Sequence, residues 1–256
     1  MTIQPALMRR IAEAAAAETL PRFRRPGQVD NKLSSGFDPV TEADRATERA
    51  IRALLTESFP EHGIHGEEFG LEREDSDHRW IIDPIDGTRA FISGLPLWGT
   101  LVGLTIDGRA VAGMMSQPFT GELFYAVGEG AQYEGPGGPR ALRVRDTTEL
   151  ADATLCTTTP ALFDPLRRVA YDRVEAAVCL PRYGTDCYAY AMLAAGQIDL
   201  VIETGLNPYD IVALIPIIEQ AGGIITNWAG GRAESGGDII AAATPALHEK
   251  ALALLR

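Results

Sequence analysis

Residues 80–88, Trp-Ile-Ile-Asp-Pro-Ile-Asp-Gly-Thr, narrow the architecture more than any other stretch of this chain. The apolar Trp80-Ile81-Ile82 reads as a buried strand that delivers Asp83 at its end. Pro84 has no N–H to donate, so it is expected to stop the strand ladder, and the turn that follows points Asp86 back beside Asp83. Two carboxylates then share one site. Like charges that close raise each other's pKa unless a cation neutralises them, so the site calls for a proton or a metal. Hard oxygen ligands favour magnesium, with manganese as a substitute. Gly87 allows close backbone approach, and Thr88 opens a short helix whose first amides receive an anion. An isolated D-x-x-D is more often a turn residue and a helix cap.

Three further acidic stations argue against that plain reading. Gly66-Glu67-Glu68 follows a turn-rich segment, where a carboxylate would bind metal or hold an attacking water. Asp210 stands at the start of a helix whose Ile211, Leu214, Ile215 and Ile218 form an apolar face, so its side chain is expected to point toward a cleft. Its alternative is an acid that complements the helix dipole. Glu203 ends the run Ile198 to Ile202 and is expected to face the same cleft.

Element types alternate along the chain. Residues 3–20 read as a helix ended by Pro21, followed by a Gly, Pro and Ser-rich loop to Asp38. Thr41 and Asp44 form a weak capping-box variant at the head of a helix that reaches Pro60. Strands are expected at 80–82, 100–106, 111–115 and 122–127, with Asp107-Gly108 as a hairpin turn. The second half offers strands at 154–157, 176–180, 198–202, 223–226 and 238–242. Helices are expected near 164–174, 186–195 and 208–221, with another after Thr244-Pro245. This pattern predicts an α/β layered architecture, an antiparallel sheet followed by a second sheet packed with helices. Residues 1–256 are expected to form a single unit with halves of about 1–145 and 146–256.

Composition excludes several classes. A formal charge of −12 argues against a nucleic-acid partner, because phosphate backbones demand a basic footprint. No stretch approaches the ~20 apolar residues that cross a bilayer, and residues 11–20 lack the apolar centre of a signal peptide. No membrane partner and cytoplasmic residence are therefore expected. Cys156, Cys179 and Cys187 have no CxxC spacing and read as buried thiols. His62 and His65 flank glycines that break the helix a zinc pair would need.

With these residues in view, the chain resembles the inositol monophosphatase family of metal-dependent, lithium-sensitive phosphatases. The likeness is carried by Asp38-Pro39-Val40-Thr41-Glu42-Ala43-Asp44, Gly66-Glu67-Glu68, Trp80 through Thr88, and Pro208-Tyr209-Asp210 followed by Glu219-Gln220-Ala221-Gly222-Gly223. It spans roughly residues 5 to 245. Within the family, the run from Asp86 to Leu101, with Arg89-Ala90 after Thr88, looks like the histidinol-phosphatase branch, as do Gly184 to Tyr190 and Asn207 to Asp210.

The resemblance implies an αβαβα sandwich of the inositol monophosphatase and fructose bisphosphatase type, usually a homodimer. It also implies that Glu67, Asp83, Asp86 and the Ile85 carbonyl bind metal, with Asp210 joining a second ion. Glu67 and the Thr88 hydroxyl are assigned to orienting and activating water, with Asp83 in the catalytic set. Gly87 and Thr88 amides are assigned to phosphate, and Lys32 and Asp44 are read as supporting residues. Pro216 is expected to kink the helix that Asp210 begins about two turns later. The expected reaction is hydrolysis of L-histidinol phosphate, a small phosphate monoester. The substrate's ammonium and imidazole suit Asp186 and Glu203, and Arg182 would meet phosphate or orient an acid. Asp186 as a helix cap and Arg182 as a surface cation are their plain alternatives. Glu67, Arg89 and Asp210 complete the substrate set. Other enzyme readings are a phosphatase for inositol, sugar or nucleotide phosphates, differing at Arg89, Asp186 and Glu203. A catalytically silent metal-binding module is the reading from another class.

Overall fold

The computed structural model describes residues 3–25, 29–31 and 39–256, so Lys32 and Asp38 lie outside the described residues. The helices are α1 (Pro5–Thr19), α2 (Glu42–Ser58), α3 (Thr88–Ile92), α4 (Pro165–Glu175), α5 (Asp186–Ala194), α6 (Pro208–Ile211), α7 (Leu214–Gln220) and α8 (Pro245–Leu255). The first strands are β1 (Val29–Asn31), β2 (Pro39–Thr41), β3 (Gly63–Gly66), β4 (Gly70–Glu72), β5 (His78–Asp86), β6 (Gly99–Ile106), β7 (Arg109–Gln117), β8 (Glu122–Ala126), β9 (Ala131–Glu134) and β10 (Arg140–Ala141). They are followed by β11 (Thr154–Thr157), β12 (Leu180–Tyr183), β13 (Leu200–Leu206), β14 (Ile224–Asn227) and β15 (Gly237–Ala242).

Side-chain alternation on the strands sets the layers. An eight-stranded sheet runs β10-β9-β8-β7-β6-β5-β3-β4, antiparallel except where β3 pairs with β5. On one face, Trp80, Ile82, Val102, Leu104 and Met114 pack against Met8, Ile11, Ile51 and Leu55 of α1 and α2. The intervening residues Leu101 and Met115 face the opposite way, onto Tyr190, Leu193, Leu214 and Ile217 of α5 and α7. That middle layer also meets Val201, Ile239 and Ala241 of a five-stranded sheet ordered β12-β11-β13-β15-β14. The far face of this sheet, Leu155, Leu200, Ile202 and Ile240, packs against Tyr171, Val174, Leu247 and Ala251 of α4 and α8. The order is helix, sheet, helix, sheet, helix, as the resemblance implies. Each fully buried aliphatic side chain in these interfaces contributes about 1.5–3 kcal/mol by removal from water.

Local signals behave largely as read. Thr41 and Asp44 make a full capping box at the head of α2. Asp107 and Gly108 both take positive φ, 51° and 70°, as the hairpin between β6 and β7 requires. Cys179 is exposed, against the reading of all three cysteines as buried thiols. Three expectations about the elements also need correction. Pro84 does not stop the ladder: β5 continues to Asp86, with a register shift between Asp83 and Asp86. The strand expected at 176–180 begins at Leu180, because α4 runs to Glu175 and the chain must turn before Cys179 and Leu180 donate to the Ala153 carbonyl.

The helix expected over 208–221 is two helices that part at Val212–Ala213, two to three residues after Asp210. Pro216 therefore falls in the first turn of α7, where its missing N–H leaves no bond unmade. The joint is accommodated by glycines facing it. Gly103 and Gly113 are register partners on β6 and β7, and a Cβ on Gly113 would lie 2.0 Å from the Ala213 carbonyl oxygen. Asp210 is thus held at a short helix seated directly on the first sheet.

Candidate active site

Asp83 and Asp86 are three residues apart, an odd offset that would place them on opposite faces of a regular strand. The bulge reverses this. Asp83 pairs with Leu101 and Asp86 with Gly99, so β5 spends one residue more than β6 and Asp86 returns to the side of Asp83. Asp83 is buried, and its Oδ1 accepts the Ile85 N–H at 3.0 Å. Asp86 Oδ2 accepts the Cys187 N–H at 2.7 Å from the first turn of α5. Asp210 closes a capping box in which its Oδ2 accepts the Asn207 N–H at 2.7 Å. The helix-acid alternative for Asp210 is therefore realised, and it does not remove the residue from the site. Carboxylate oxygens of Asp83, Asp86 and Asp210 all lie within 4.8 Å of one another.

Glu67 enters from the end of β3, where its N–H donates to the Ile82 carbonyl at 3.1 Å. Burial pushes the Asp83 carboxyl well above the usual range, and the charges of Glu67, Asp86 and Asp210 push it further. Asp86 is raised by burial and then by Asp186 and Asp210, against a lowering contribution from Cys187. These acids surround a cavity of about 450 Å3, which Ile85, Gly87, Thr88, Arg89, Asp186 and Glu203 also line. A larger hollow of about 930 Å3 lies between Arg22–Arg25 and the head of α2, away from the acid cluster, so size is not what marks the site.

Gly87 takes φ 83°, and a Cβ there would lie 3.2 Å from the Leu97 carbonyl oxygen and 3.3 Å from an Asp186 carboxylate oxygen. It starts α3. The Thr88 hydroxyl donates to the Ile85 carbonyl at 3.0 Å and lies 3.4 Å from Asp44 Oδ1. Also lining the cavity, Glu203 is buried and its carboxyl is pushed up to about 8, by burial first. Thr158 donates to it through its N–H at 2.6 Å and its hydroxyl at 3.0 Å, and the Thr157 hydroxyl lies at 3.2 Å. Asp186 sits in a left-handed conformation, φ 41°, and its Oδ1 lies 3.1 Å from the same Thr158 hydroxyl. Burial raises its carboxyl, while Thr158 and the Arg89 charge oppose the rise.

Arg182 stands apart. It lies on β12, the edge of the second sheet, with an exposed side chain, and is not among the described residues lining the cavity. Among the described residues, the basic ones that line it are Arg89 and Arg167. Arg182→Ala is accordingly expected to change kcat/KM by no more than about twofold, the scale of an ordinary surface substitution, in a phosphate-release assay. Sequence reading also missed Thr158, Asp164, Arg167 and Tyr209 as lining residues. A usable signal existed for Thr158, which follows β11, a strand parallel to β12 and β13, at the strand end where open sheets form crevices. His62, weighed as a zinc ligand, instead accepts the Trp80 indole N–H at 3.1 Å and stacks on Phe59.

A sequence profile described as the inositol monophosphatase family matches residues 4–256. The bifunctional phosphatase IMPL2, chloroplastic, of Arabidopsis thaliana is 39% identical over 254 residues, covering 94% of this chain and 72% of that protein. The histidinol-phosphatase of Chlorobaculum parvum is 35% identical over 258 residues, covering 100% of this chain and 97% of that protein. A solved inositol monophosphatase from Zymomonas mobilis superposes with a TM-score of 0.87 at 40% identity, covering 98% of this chain and 96% of that one. Profile and solved structure agree over nearly the whole length, and the chain belongs to the inositol monophosphatase family of phosphatases.

Proposed function

We propose that this phosphatase is a magnesium-dependent histidinol-phosphatase, hydrolysing L-histidinol phosphate to L-histidinol and phosphate. The observation that carries the substrate is a second pair of acids, Asp186 and Glu203 joined through Thr158, lining the same cavity as Asp83, Asp86 and Asp210. A cationic alcohol has a reason to bind between two acids; an uncharged polyol has less.

The donor set fits a hard divalent cation. Three carboxylates converge within 4.8 Å, and burial, then the charges of the neighbouring acids, push Asp83 and Asp86 upward, both of which a cation would offset. Glu67, Asp83, Asp86, Asp210 and the Ile85 carbonyl would hold magnesium, or manganese in its place. When bound, such ions polarise the phosphoryl oxygens and stabilise charge on the leaving oxygen.

The chain's own groups do the rest. Glu67 and the Thr88 hydroxyl orient the attacking water, whose proton passes by way of Thr88 toward Asp44 Oδ1, 3.4 Å away, while the departing L-histidinol oxygen takes a proton from solvent. Amides of Gly87 and Thr88 hold phosphate oxygens. Glu203, protonated at neutral pH with its carboxyl near 8, gives up its proton to solvent and becomes a carboxylate when the substrate ammonium arrives. Arg89 tempers Asp186 so that both acids serve one cation. The reading includes one unit over 1–256 acting as a homodimer in the cytoplasm, without nucleic-acid or membrane partners. No helix among the described residues is long and apolar enough to cross a membrane.

A second reading, phosphatase of inositol or related sugar or nucleotide phosphates, is favoured by the 40% identity to the Zymomonas mobilis structure. The test is phosphate release with magnesium across histidinol phosphate, inositol 1-phosphate, a sugar bisphosphate and an adenosine bisphosphate. A preference for histidinol phosphate of about 10²-fold in kcat/KM is expected, since a polar wall left unpaired penalises the wrong ligand. Equal turnover of inositol phosphate sinks the substrate, and no turnover of any ester with metal still bound indicates a silent module.

A further inference from the structure

Helix α2 carries two buried acids one turn apart, Asp44 and Glu48. Asp44 caps the helix and meets Thr88. Glu48 has no exposed surface, a position that is costly for a carboxylate unless every oxygen is bonded. Arg52 Nε donates to Glu48 Oε1 at 2.8 Å. The Glu68 N–H donates to Oε2 at 2.7 Å, and the Phe69 N–H to Oε1 at 3.2 Å. Two of these three donors are backbone amides of the segment joining β3 to β4, directly after Glu67.

The same carboxylate also fills the space on the other side of Glu67. A Cβ on Gly66 would lie 1.9 Å from Glu48 Oε1 and 2.3 Å from the carboxyl carbon. Arg52 tightens the arrangement by donating to Glu72 Oε1 at 2.8 Å and to the Gly70 carbonyl, so β4 is tied to the same point. An apolar side chain at 48 would hold α2 against the sheet at lower desolvation cost. Only a two-oxygen acceptor also dictates the angle at which residues 66–69 leave the strand.

We infer that Glu48 is a positioning residue for catalysis. From within the fold it grips the turn around Glu67 and thereby sets where the Glu67 carboxylate stands against Asp83, Asp86 and Thr88. Four residues along a helix advance about 6 Å, so α2 acts as a rigid gauge between Asp44, whose Oδ1 lies 3.4 Å from the Thr88 hydroxyl, and the Glu67 turn, held at Glu48. The inference rests on the reading of Glu67 as a group that binds metal and orients water.

The test compares wild type with Glu48→Gln, Gly66→Ala and Glu72→Gln in the full chain. Three quantities are read: amide exchange of Glu68 and Phe69, affinity for Mn2+ by calorimetry, and kcat with KM. Glu48→Gln puts an NH2 group against a backbone donor, so the two amides are expected to exchange faster while α1, α8 and the second sheet keep their rates. Mn2+ affinity and kcat should both fall about 10- to 100-fold, the usual effect of losing a group that orients a ligand, with KM little changed. Glu72→Gln loosens Arg52 from outside and is expected to leave kcat within about twofold. Wild-type exchange at 68 and 69 in Glu48→Gln overturns the inference, as does faster exchange with unchanged Mn2+ affinity and kcat. Should Glu48→Gln fail to fold, Gly66→Ala pushes on the same contact from the turn, and unchanged Mn2+ affinity and kcat there overturn it equally. A wild type that neither binds Mn2+ nor releases phosphate defeats the underlying reading instead, while the exchange rates still decide whether Glu48 holds the turn.

Discussion

Asp83→Asn is expected to lower phosphate release by roughly 10³-fold or more while making the metal-free protein more stable. The loss follows from removing one full charge from the group of acids that would hold the cation, whose stabilisation of transition-state charge is worth several kcal/mol. The gain in stability follows from the sign of the shift at Asp83. Burial, then Glu67, Asp86 and Asp210, raise its carboxyl above the ordinary value. A group raised in the folded state contributes stability that is fully present below its unfolded pKa and lost as pH rises through the folded pKa. In chelator, the wild type therefore loses ground to Asp83→Asn from about pH 4 upward.

Saturating magnesium reverses the order. A ligand at 100 times its Kd stabilises the wild type by about 2.7 kcal/mol, a Tm difference of several degrees for a chain of this size. Asn retains an oxygen for the Ile85 N–H, so the bulge itself should survive. Thermal melts with EDTA and with magnesium, beside the phosphate assay, check both halves. Turnover retained at saturating magnesium would count against Asp83 as a ligand.

Glu203→Gln is expected to erase selectivity rather than abolish chemistry. Truncating the charge that meets a desolvated ammonium costs about 2–5 kcal/mol, so kcat/KM for histidinol phosphate should fall about 10²-fold. An uncharged ester such as inositol 1-phosphate loses a hydrogen-bond partner at most, and should change far less. The pH dependence has a definite sign. The Glu203 carboxyl, raised from 4.5 to about 8 by burial, holds its proton through neutrality in the free protein. Its contribution to stability is thus present below about pH 4.5 and lost as pH rises through about 8. Relative to wild type, Glu203→Gln should gain a few kcal/mol between these limits in denaturant titrations. In the wild type, KM for histidinol phosphate should fall as pH approaches 8, and the variant should lose that slope. Unchanged selectivity in Glu203→Gln would remove this residue from substrate recognition.

Some of the site was legible because its causes are local. The Trp80 to Thr88 run carries strand, carboxylates and helix start in consecutive residues. Thr41 and Asp44, three residues apart, announce their own cap, and Asp107-Gly108 its own turn. The bulge was not legible. A proline between two acids is compatible with a stopped ladder or a shifted register, and pairing with β6 decided for the second. The parting of α6 from α7 depends on Pro216 together with the glycines of β6 and β7, which no helix periodicity contains. Arg182 was misjudged for the same reason, because its exposure follows from β12 being the sheet edge.

The sequence by itself determined which acids exist, which of them end strands or begin helices, and that their charge demands a counter-ion. Tertiary structure decided which of them meet. Cys187 reaches Asp86 across 101 residues, Thr158 reaches Glu203 across 45, and Glu68 reaches Glu48 across 20. Propensity and capping act within a few residues, whereas convergence of like charges is enforced by the packing of five layers, whose apolar burial outweighs the repulsion gathered at their common edge.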